Sequence, residues 1–183
     1  MASETQIVDR LKRGEEEAFS ELYEIYSAPL LNHLLTMTGK IELAEELLHE
    51  VLMTMLTKIN FYEEDKRLKN SFKAWLYRIA TNRAIDEIRK TKNVKFEEAT
   101  LELVDSKNIE EDFELIERDE KIQDFLNRLP LMQRTFMNLK INSDLNHLEI
   151  SRICSCQVNT VKQGLFQARR TLKNMLLAEG VEL

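Results

Sequence analysis

The chain has 183 residues, 4 glycines, 2 prolines and a net charge of −6. This length can bury one large or two small hydrophobic cores, and so few turn-forming residues favour an all-α fold over a strand-rich one. No apolar run approaches the ~18 residues that a membrane-spanning helix needs, and the N-terminus lacks the apolar stretch of a signal peptide. We therefore expect a cytoplasmic protein with no membrane insertion.

Apolar residues recur at helical spacing through the first sixty positions. The pattern from Ile7 to Tyr26 predicts a helix or a helix pair, and Pro29 is expected to end it or to begin the next helix. A long helix is predicted from about Glu42 to Ile59. Its outer face is acidic with one histidine, and includes Glu45, Glu46, His49 and Glu50. Such a face is usually only solvated, although a basic protein partner would also fit it.

A basic segment follows this helix. Residues 65–92 hold nine Lys/Arg against three Asp/Glu, with a charged loop first and then a helix from Phe72 to Lys90. Phe72 and Trp75 are assigned to the core. Cations and amides close to the aromatic pair Phe61–Tyr62 suit single-stranded DNA, whose unpaired bases stack on rings. The candidates for this contact are Lys66, Arg67, Lys69, Asn70, Ser71, Lys73, Tyr77, Arg78, Asn82 and Arg83.

An acidic segment separates two helical regions. Residues 91–120 carry 4 Lys/Arg against 11 Asp/Glu, whereas residues 121–183 carry 9 against 5. Polar, acidic composition with scattered apolar positions predicts a linker over residues 92–118. The chain therefore divides into a first helical domain, residues 1–91, and a second one, residues 119–183.

The second domain contains a helix-turn-helix pattern. Asn146 and Glu149 predict a reciprocal cap at the start of a short helix, and Ser155 falls in the following turn. The next helix is predicted from about Val158 to Leu177, with Gly164 expected to make it less rigid. Its outer face has the amides and cations that a recognition helix uses on DNA, namely Gln157, Asn159, Thr160, Lys162, Gln163, Phe166, Arg169 and Arg170. A helical hairpin with a solvated polar face is the alternative.

Catalytic and metal-binding patterns are missing from the sequence. There is no Gly-rich phosphate loop, His-Glu-x-x-His helix or nucleophile elbow. Cys154 and Cys156 would close a strained disulfide and have no second pair of ligands, so burial as small hydrophobes is favoured over metal binding. We expect no enzymatic activity, no cofactor and no metal site.

Five stretches together resemble the extracytoplasmic-function (ECF) class of bacterial RNA polymerase sigma factors. GEEEAFSELYEIY at residues 14–26 is similar to the family pattern G-x-x-x-A-F-x-x-L-Y-x-x-Y, and AEELLHEVL at 44–52 to A-E-D-L-x-Q-E-x-F. WLYRIATNRAIDEIRK at 75–90 resembles W-L-x-x-I-A-x-N-x-x-x-D-x-x-R, which is the most specific piece. In the second domain, residues 126–139 resemble L-x-x-L-P-x-x-x-R, and residues 148–172 resemble the family's helix-turn-helix.

This resemblance implies a sigma region 2-like domain and a region 4-like helix-turn-helix domain. The first would bind the β′ clamp helices of core RNA polymerase through the acidic helix, and would open the minus-ten promoter element with the basic candidates between Lys66 and Arg83. The second would dock on the β flap and read the minus-thirty-five element with the candidates between Gln157 and Arg170. The acidic linker would run toward the RNA exit channel. Promoter DNA, core polymerase and an anti-sigma factor are the implied partners.

Two other functions stay open on the sequence. A stand-alone helix-turn-helix regulator would explain the second domain but not the first, and dimeric binding to a palindromic site without polymerase would favour it. A helical protein-interaction adaptor would touch no nucleic acid. Promoter DNA that crosslinks to neither domain in a polymerase complex would favour the adaptor.

Overall fold

A computed structural model describes residues 3–92 and 120–180 of the chain. Within these ranges the regular elements are all helical, which confirms the predicted all-α class. They are α1 (Glu4–Lys12), α2 (Glu16–Thr38), α3 (Ile41–Lys58), a 3₁₀ turn (Ile59–Phe61), α4 (Ser71–Lys92), α5 (Glu120–Arg128), α6 (Leu131–Ile141), α7 (His147–Ile153) and α8 (Val158–Ala178). Apart from residue 92, the predicted linker lies outside the described residues. None of the described helices is both long and apolar enough to cross a membrane.

Helix α2 runs straight through Pro29, so the expectation of a helix boundary there is wrong. Proline removes the hydrogen bond that would reach back to the carbonyl of Ile25. Both Pro29 and Ile25 are exposed, so water can satisfy that carbonyl and the helix tolerates the loss. The helix ends instead at Gly39, which adopts φ of 71°.

The first core lies between α2, α3 and α4, with α1 packed on α2. Leu30, Val51 and Leu76 are among its fully buried side chains. Phe72 is buried and Trp75 is half-buried, and the two rings pack together with centroids 5.7 Å apart. The assignment of both rings to the core is therefore confirmed.

The second core joins α6, α7 and α8, and includes Phe136, Ile150, Ile153 and Leu165. Gly164 is buried at the contact of α8 with α6. A Cβ atom on Gly164 would lie 2.6 Å from Cδ2 of Phe136. The glycine therefore makes room for the phenylalanine ring, and the expectation that it only loosens the helix misses this role.

Gly164→Ala should destabilise the protein by about 1 kcal/mol. Overpacking against the ring costs roughly 1–3 kcal/mol, and the better helix propensity of alanine recovers about 1 kcal/mol. Urea unfolding measures the change. Combining Gly164→Ala with Phe136→Leu should give a smaller loss than the sum of the two single losses. Simple additivity would contradict the predicted clash.

The two helical regions pack against each other, which the sequence did not indicate. Helix α4 contacts α7, and α2 contacts α5 and α6. Buried apolar side chains from both regions belong to one continuous cluster. We call this packing the closed arrangement.

Candidate nucleic-acid and protein interfaces

The outer face of α3 lies in solvent as the sequence predicted. Glu45, Glu46 and His49 are exposed and Glu50 is half-exposed. The same side of the helix continues toward its C-terminus with two apolar residues that are well exposed, Met53 (49%) and Leu56 (38%). An acidic surface beside exposed apolar side chains is suited to a protein partner with basic and apolar groups.

Glu50 has a partner within the first domain. Its Oε2 lies 3.3 Å from Nη1 of Arg83, and Nη2 of Arg83 donates to Oγ1 of Thr54 at 3.4 Å. This ion pair joins α3 to α4 and connects one candidate for protein binding with one candidate for DNA binding. Both side chains remain about half exposed, so the pair is weak and easily exchanged for an outside partner.

The loop between α3 and α4 is held in shape by its own polar groups. Arg67 donates to both carboxylate oxygens of Asp65, at 2.8 and 2.7 Å. The backbone N–H of Asp65 donates to Oγ of Ser71 at 2.8 Å, which ties the loop to the start of α4. Hydrogen bonds from Arg67 lower the pKa of Asp65 to about 2, so this carboxylate stays charged at neutral pH. Lys66 and Lys69 extend from the loop into solvent.

The candidates on α4 fall into two groups. Arg78, Asn82 and Arg83 are exposed, and Arg78 and Asn82 lie one turn apart on one face. Tyr77 is fully buried, with its ring 5.2 Å from that of His33. Tyr77 was among the candidates for contact with single-stranded DNA, and this is wrong because its side chain is buried where the second region packs on α4. Ser71 is also buried and serves the loop contact instead.

Phe61 was not among the candidate binding residues, although it lies next to the basic loop. Its side chain is 83% exposed, the largest exposure among the large hydrophobic residues that the structure describes. Its neighbour Tyr62 is buried against Phe72 and Trp75. The sequence analysis had used the pair Phe61–Tyr62 beside cationic residues as a signal for single-stranded DNA, and the structure adds that Phe61 is the exposed ring of the two.

Helices α7 and α8 have the geometry of a helix-turn-helix. Asn146 and Glu149 form the predicted capping box, with the N–H of Glu149 donating to Oδ1 of Asn146 at 3.0 Å and the N–H of Asn146 donating to Oε2 of Glu149 at 2.8 Å. The turn passes through Ser155 in the left-handed region, with φ of 53°. The local turn that the sequence indicated is therefore present.

The outer face of α8 is open to solvent. Its buried stripe includes Val161, Leu165, Ala168 and Leu172. The candidates for base or phosphate contact are all exposed or partly exposed on the remaining faces: Gln157, Asn159, Thr160, Lys162, Gln163, Phe166, Arg169 and Arg170. Gln157 stands at the N-cap position without a side-chain capping hydrogen bond, so its amide is available to a ligand. The arrangement presents amides and cations together on one helix.

Two candidates for strand binding are engaged by the second region in the closed arrangement. The backbone N–H of Asn70 donates to Oε1 of Glu149 at 2.7 Å, and Nδ2 of Asn70 lies 3.4 Å from Oε2. Nζ of Lys73 donates to the carbonyl of Ser143 at 2.5 Å. Glu149 itself is completely buried. Sequence reasoning identified Glu149 only as a helix cap.

His33 lies at the centre of the contact between the two regions. Its Nδ1 is 2.7 Å from Oδ1 of Asn138, and its Nε2 is 2.9 Å from Oγ1 of Thr81. Burial lowers the pKa of His33 to about 4, because the charged imidazolium would lose its hydration there. The ring is therefore neutral at pH 7 and bridges α2 to both α4 and α6.

The two cysteines are free thiols. Cys154 and Cys156 pack against the core, and burial raises the pKa of both. A raised pKa disfavours the thiolate that metal binding needs. Across residues 3–92 and 120–180 no group of three or more metal-ligating side chains comes together.

Two family models match the chain. Sigma-70 region 2 matches residues 22–94, and Sigma-70, region 4 matches residues 119–172. The ECF RNA polymerase sigma factor SigW of Bacillus subtilis is 28% identical over 180 residues, covering 92% of this chain and 94% of the relative. The ECF RNA polymerase sigma factor SigM of the same organism is 30% identical over 154 residues, covering 84% and 91%.

Two solved structures share the fold. The sigma factor RpoE of Bartonella quintana, in complex with the anti-sigma factor NepR, has a TM-score of 0.65 and 22% identity, covering 86% of this chain and 96% of the other. CnrH, in complex with the cytosolic domain of CnrY, has a TM-score of 0.68 and 17% identity, covering 94% and 96%. Both sigma regions are matched, and the 30% identical SigM is covered over 91% of its length. The chain therefore belongs to the ECF RNA polymerase sigma factors and directs promoter-specific transcription initiation by RNA polymerase.

Proposed function

We propose that the chain acts as a sigma factor through three surfaces, two on the first domain and one on the second. Residues 1–91 form a region 2-like domain that binds core RNA polymerase and opens the minus-ten element. Residues 119–183 form a region 4-like domain that reads the minus-thirty-five element, and residues 92–118 link the two. The observation that carries this proposal is the pair of exposed, chemically different helices on one sigma fold: the acidic and apolar face of α3 and the amide-rich, cationic face of α8.

The face of α3 is the surface for core polymerase. Glu45, Glu46, His49 and Glu50 offer negative or polar groups to the β′ clamp helices, and Met53 and Leu56 add apolar area beside them. Charged groups at the rim speed association and fix orientation, whereas apolar side chains supply affinity. The second domain docks on the β flap in the same complex.

The basic loop and α4 are the surface for the minus-ten strand. Lys66, Lys69, Arg78 and Asn82 are available for phosphates and base edges. Arg67 and Arg83 would exchange their ion pairs with Asp65 and Glu50 for phosphates, and Asn70 and Lys73 become available when the second domain moves away. Phe61 offers a ring on which an unpaired base stacks. Tyr77 and Ser71 support this surface from below rather than touching DNA.

Helix α8 reads the minus-thirty-five element in the major groove. Gln157, Asn159 and Gln163 carry amides that can pair with base edges, and Thr160 and Phe166 offer smaller contacts to base edges and thymine methyl groups. Lys162, Arg169 and Arg170 neutralise phosphates. Gln157 makes no side-chain capping hydrogen bond at the start of α8, and the N-terminal residues of a recognition helix are the ones that contact base edges.

The remaining properties follow from this role. The chain supplies recognition and no catalysis of its own, since the polymerase carries out the chemistry. Its place of action is the cytoplasm, where polymerase meets the chromosome. An anti-sigma factor would regulate the chain by covering the acidic and apolar face of α3, because covering this face stops polymerase binding. A stand-alone regulator or an adaptor would not explain why residues 22–94 match sigma-70 region 2.

Transcription with purified components tests the proposal. The chain is mixed with bacterial core RNA polymerase and fragments of its own genome, and the 5′ ends of the transcripts are sequenced. We expect discrete start sites that share two upstream motifs at a fixed spacing. Core polymerase alone is the control. Failure of the chain to bind core polymerase, or starts identical to those of the core enzyme alone, would contradict the sigma role.

Glu46→Lys should weaken binding to core polymerase by about 10-fold, because it replaces an attraction with a repulsion at an exposed position. Fluorescence anisotropy of labelled protein titrated with core polymerase measures the affinity. Glu24→Lys makes the same change of charge at an exposed position of α2, and serves as the matched control. Equal losses in the two variants would indicate a general charge effect rather than a contact by α3.

A further inference from the structure

The backbone that carries the exposed ring of Phe61 is held from below by the next residue, Tyr62. The Tyr62 N–H closes the 3₁₀ turn by donating to the carbonyl of Ile59 at 3.0 Å. The Tyr62 ring is buried edge-on against Phe72, with centroids 5.4 Å apart, and its centroid lies 5.3 Å from that of Trp75. The direction in which the ring of Phe61 points therefore depends on how firmly Tyr62 is fixed.

The carbonyl of Tyr62 is held by Lys12, which lies fifty positions earlier in the chain. Nζ of Lys12 donates to this carbonyl at 2.8 Å and lies 5.2 Å from the centroid of the Tyr62 ring. A hydrogen bond from a charged donor is stronger than one from a neutral donor, and an ammonium group over an aromatic face adds a cation–π attraction. Lys12 therefore holds both the backbone and the side chain of Tyr62.

Helix α1 gives Lys12 a fixed starting point. Ile7, Val8 and Leu11 bury the inner face of α1, and the helix contacts both α2 and the 3₁₀ turn. At the other end of α1, Glu4 accepts a hydrogen bond from the hydroxyl of Tyr26. Helix α1 precedes the residues that match sigma-70 region 2, which begin at residue 22. None of the three proposed surfaces includes this helix.

A second anchor holds the basic part of the loop independently of Lys12. The N–H of Asp65 donates to Oγ of Ser71, and Arg67 forms an ion pair with Asp65. Loss of the Lys12 contact would therefore free the ring of Phe61, while the cations that follow Asp65 keep their positions.

We propose that Lys12 is a positioning residue for base stacking on the minus-ten surface: from α1 it fixes Tyr62, and thereby the ring of Phe61, without touching DNA itself. A ring that is already held in its binding orientation loses less conformational freedom when a base stacks on it. The inference rests on the proposed minus-ten role of the basic loop and α4, and adds to that role a residue of α1.

Hydrogen exchange in the free chain tests the anchor without polymerase or DNA. Lys12→Met keeps the apolar stem of the side chain and removes the ammonium group. We expect exchange of the Tyr62 amide to become about 5-fold faster, as for the loss of one hydrogen bond. Trp75 is the only tryptophan in the chain, so its fluorescence should also be quenched more readily by acrylamide as Tyr62 loosens. Exchange of the Tyr62 amide at the rate of the unchanged protein would overturn the proposal.

Two further variants separate Lys12 from the rest of α1. Glu4→Met removes the contact at the other end of the helix, and should leave exchange of the Tyr62 amide unchanged because the partner of Glu4 belongs to α2. Lys12→Arg keeps a charged donor and should restore slow exchange. Equally fast exchange in all three variants would show that α1 as a whole stabilises the turn, and would overturn a specific role of Lys12.

Single-strand binding tests the positioning role in the complex of the chain with core RNA polymerase. The probe is a fluorescein-labelled strand from a mapped minus-ten region, titrated at several salt concentrations. We expect Lys12→Met to bind about 5-fold more weakly, because the ring is less often in its binding orientation. The dependence of affinity on salt should stay the same, since the cations that hold phosphates are unchanged. A direct phosphate contact by Lys12 would instead reduce the logarithmic salt slope by about 0.7, and would overturn the positioning role.

Phe61→Ala shows whether Lys12 acts through the ring. In the Phe61→Ala background, Lys12→Met should weaken strand binding little further, because the ring that it positions is already gone. Equal losses in the two backgrounds, or normal strand binding by Lys12→Met despite fast exchange of the Tyr62 amide, would overturn the proposal. Failure of the unchanged chain to bind the strand would remove the minus-ten role and this proposal with it, even where the exchange of the Tyr62 amide behaves as expected.

Discussion

Lowering the pH from 7 to 5 is expected to reduce the free energy of unfolding by about 2 kcal/mol through a single residue, His33. The unfolded chain has an imidazole pKa near 6.5, whereas burial in the folded protein lowers the pKa of His33 to about 4. Between these values the unfolded state binds a proton that the folded state excludes. Each pKa unit between the folded and unfolded states corresponds to 1.36 kcal/mol of stability. Because the unfolded state binds more protons between pH 4 and pH 6.5, the free energy of unfolding rises with pH across this range.

The direction of the effect follows from the surroundings of the ring. His33 is completely buried and faces two neutral groups, Asn138 and Thr81, with the neutral ring of Tyr77 beside it. With the assigned hydrogen bonds, Nδ1 donates to Asn138 and Nε2 accepts from the hydroxyl of Thr81. Protonation would add a buried charge without an anion to balance it. Stability is therefore complete above pH 6.5 and is lost as the pH falls toward 4.

Urea unfolding at pH 7 and pH 5 measures the difference. His33→Gln keeps a neutral polar side chain in the contact and should remove most of the dependence on pH. His49→Gln changes a histidine that is exposed on α3, and should leave the dependence in place. A carboxylate such as Asp65, whose pKa is lowered to about 2, contributes mainly at pH values below this window. Equal slopes in His33→Gln and the unchanged protein would remove His33 as the cause.

Local patterns allowed much of the fold to be predicted from the sequence. The capping box of Asn146 and Glu149, the turn at Ser155 and the buried stripe of α8 depend on residues within a few positions of one another. Helical periodicity identified α3 and α4 because each has one apolar face against a single core. The sigma fold then followed from several such elements in a fixed order.

The features that were missed depend on contacts between distant residues. Pro29 was read as a boundary because proline disrupts helices, but packing of α2 along its whole length outweighs one lost hydrogen bond. Tyr77 was included among the DNA contacts because the periodicity of α4 alone does not show that α7 packs on a second face of this helix. Gly164 was judged by helix propensity, while the ring of Phe136 across the core decides its role. The closed arrangement itself joins residues about 70 to 105 positions apart.

The candidate site also separates into features set by local sequence, which were predicted, and features set by distant contacts, which were not. Charge and amide patterns located the faces of α3 and α8, which stay largely exposed although Glu50 pairs with Arg83 of α4. They could not show that Asn70 and Lys73 are held by Glu149 and Ser143. They also gave no reason to prefer Phe61 over Tyr62 as a binding residue, because only packing shows which ring is buried.

Phe61→Ala should reduce the stability of the open promoter complex by roughly 5- to 150-fold. Stacking of an unpaired base on an aromatic side chain contributes about 1–3 kcal/mol, and this ring is 83% exposed beside the cations of the loop. No buried packing is lost, so the free energy of unfolding should change by less than about 0.5 kcal/mol. An exposed apolar ring lowers the solubility of a free protein. Stacking of a base on the ring would explain why it is exposed.

The lifetime of open complexes after a heparin challenge measures this effect on a promoter identified by transcript mapping. Phe61→Tyr keeps an aromatic ring and should retain most of the lifetime, which separates stacking from a general loss of apolar surface. Leu177→Ala removes an exposed apolar side chain at the end of α8 and is the control for nonspecific effects. If Phe61 acts by stacking, the affinity of all three variants for a duplex that carries the minus-thirty-five motif stays the same as that of the unchanged protein. A shortened lifetime in Phe61→Tyr equal to that in Phe61→Ala would show that the ring does not hold a base. In that case the exposed phenylalanine would have to be assigned to a protein partner, and weaker binding of Phe61→Ala to core polymerase would be the expected sign.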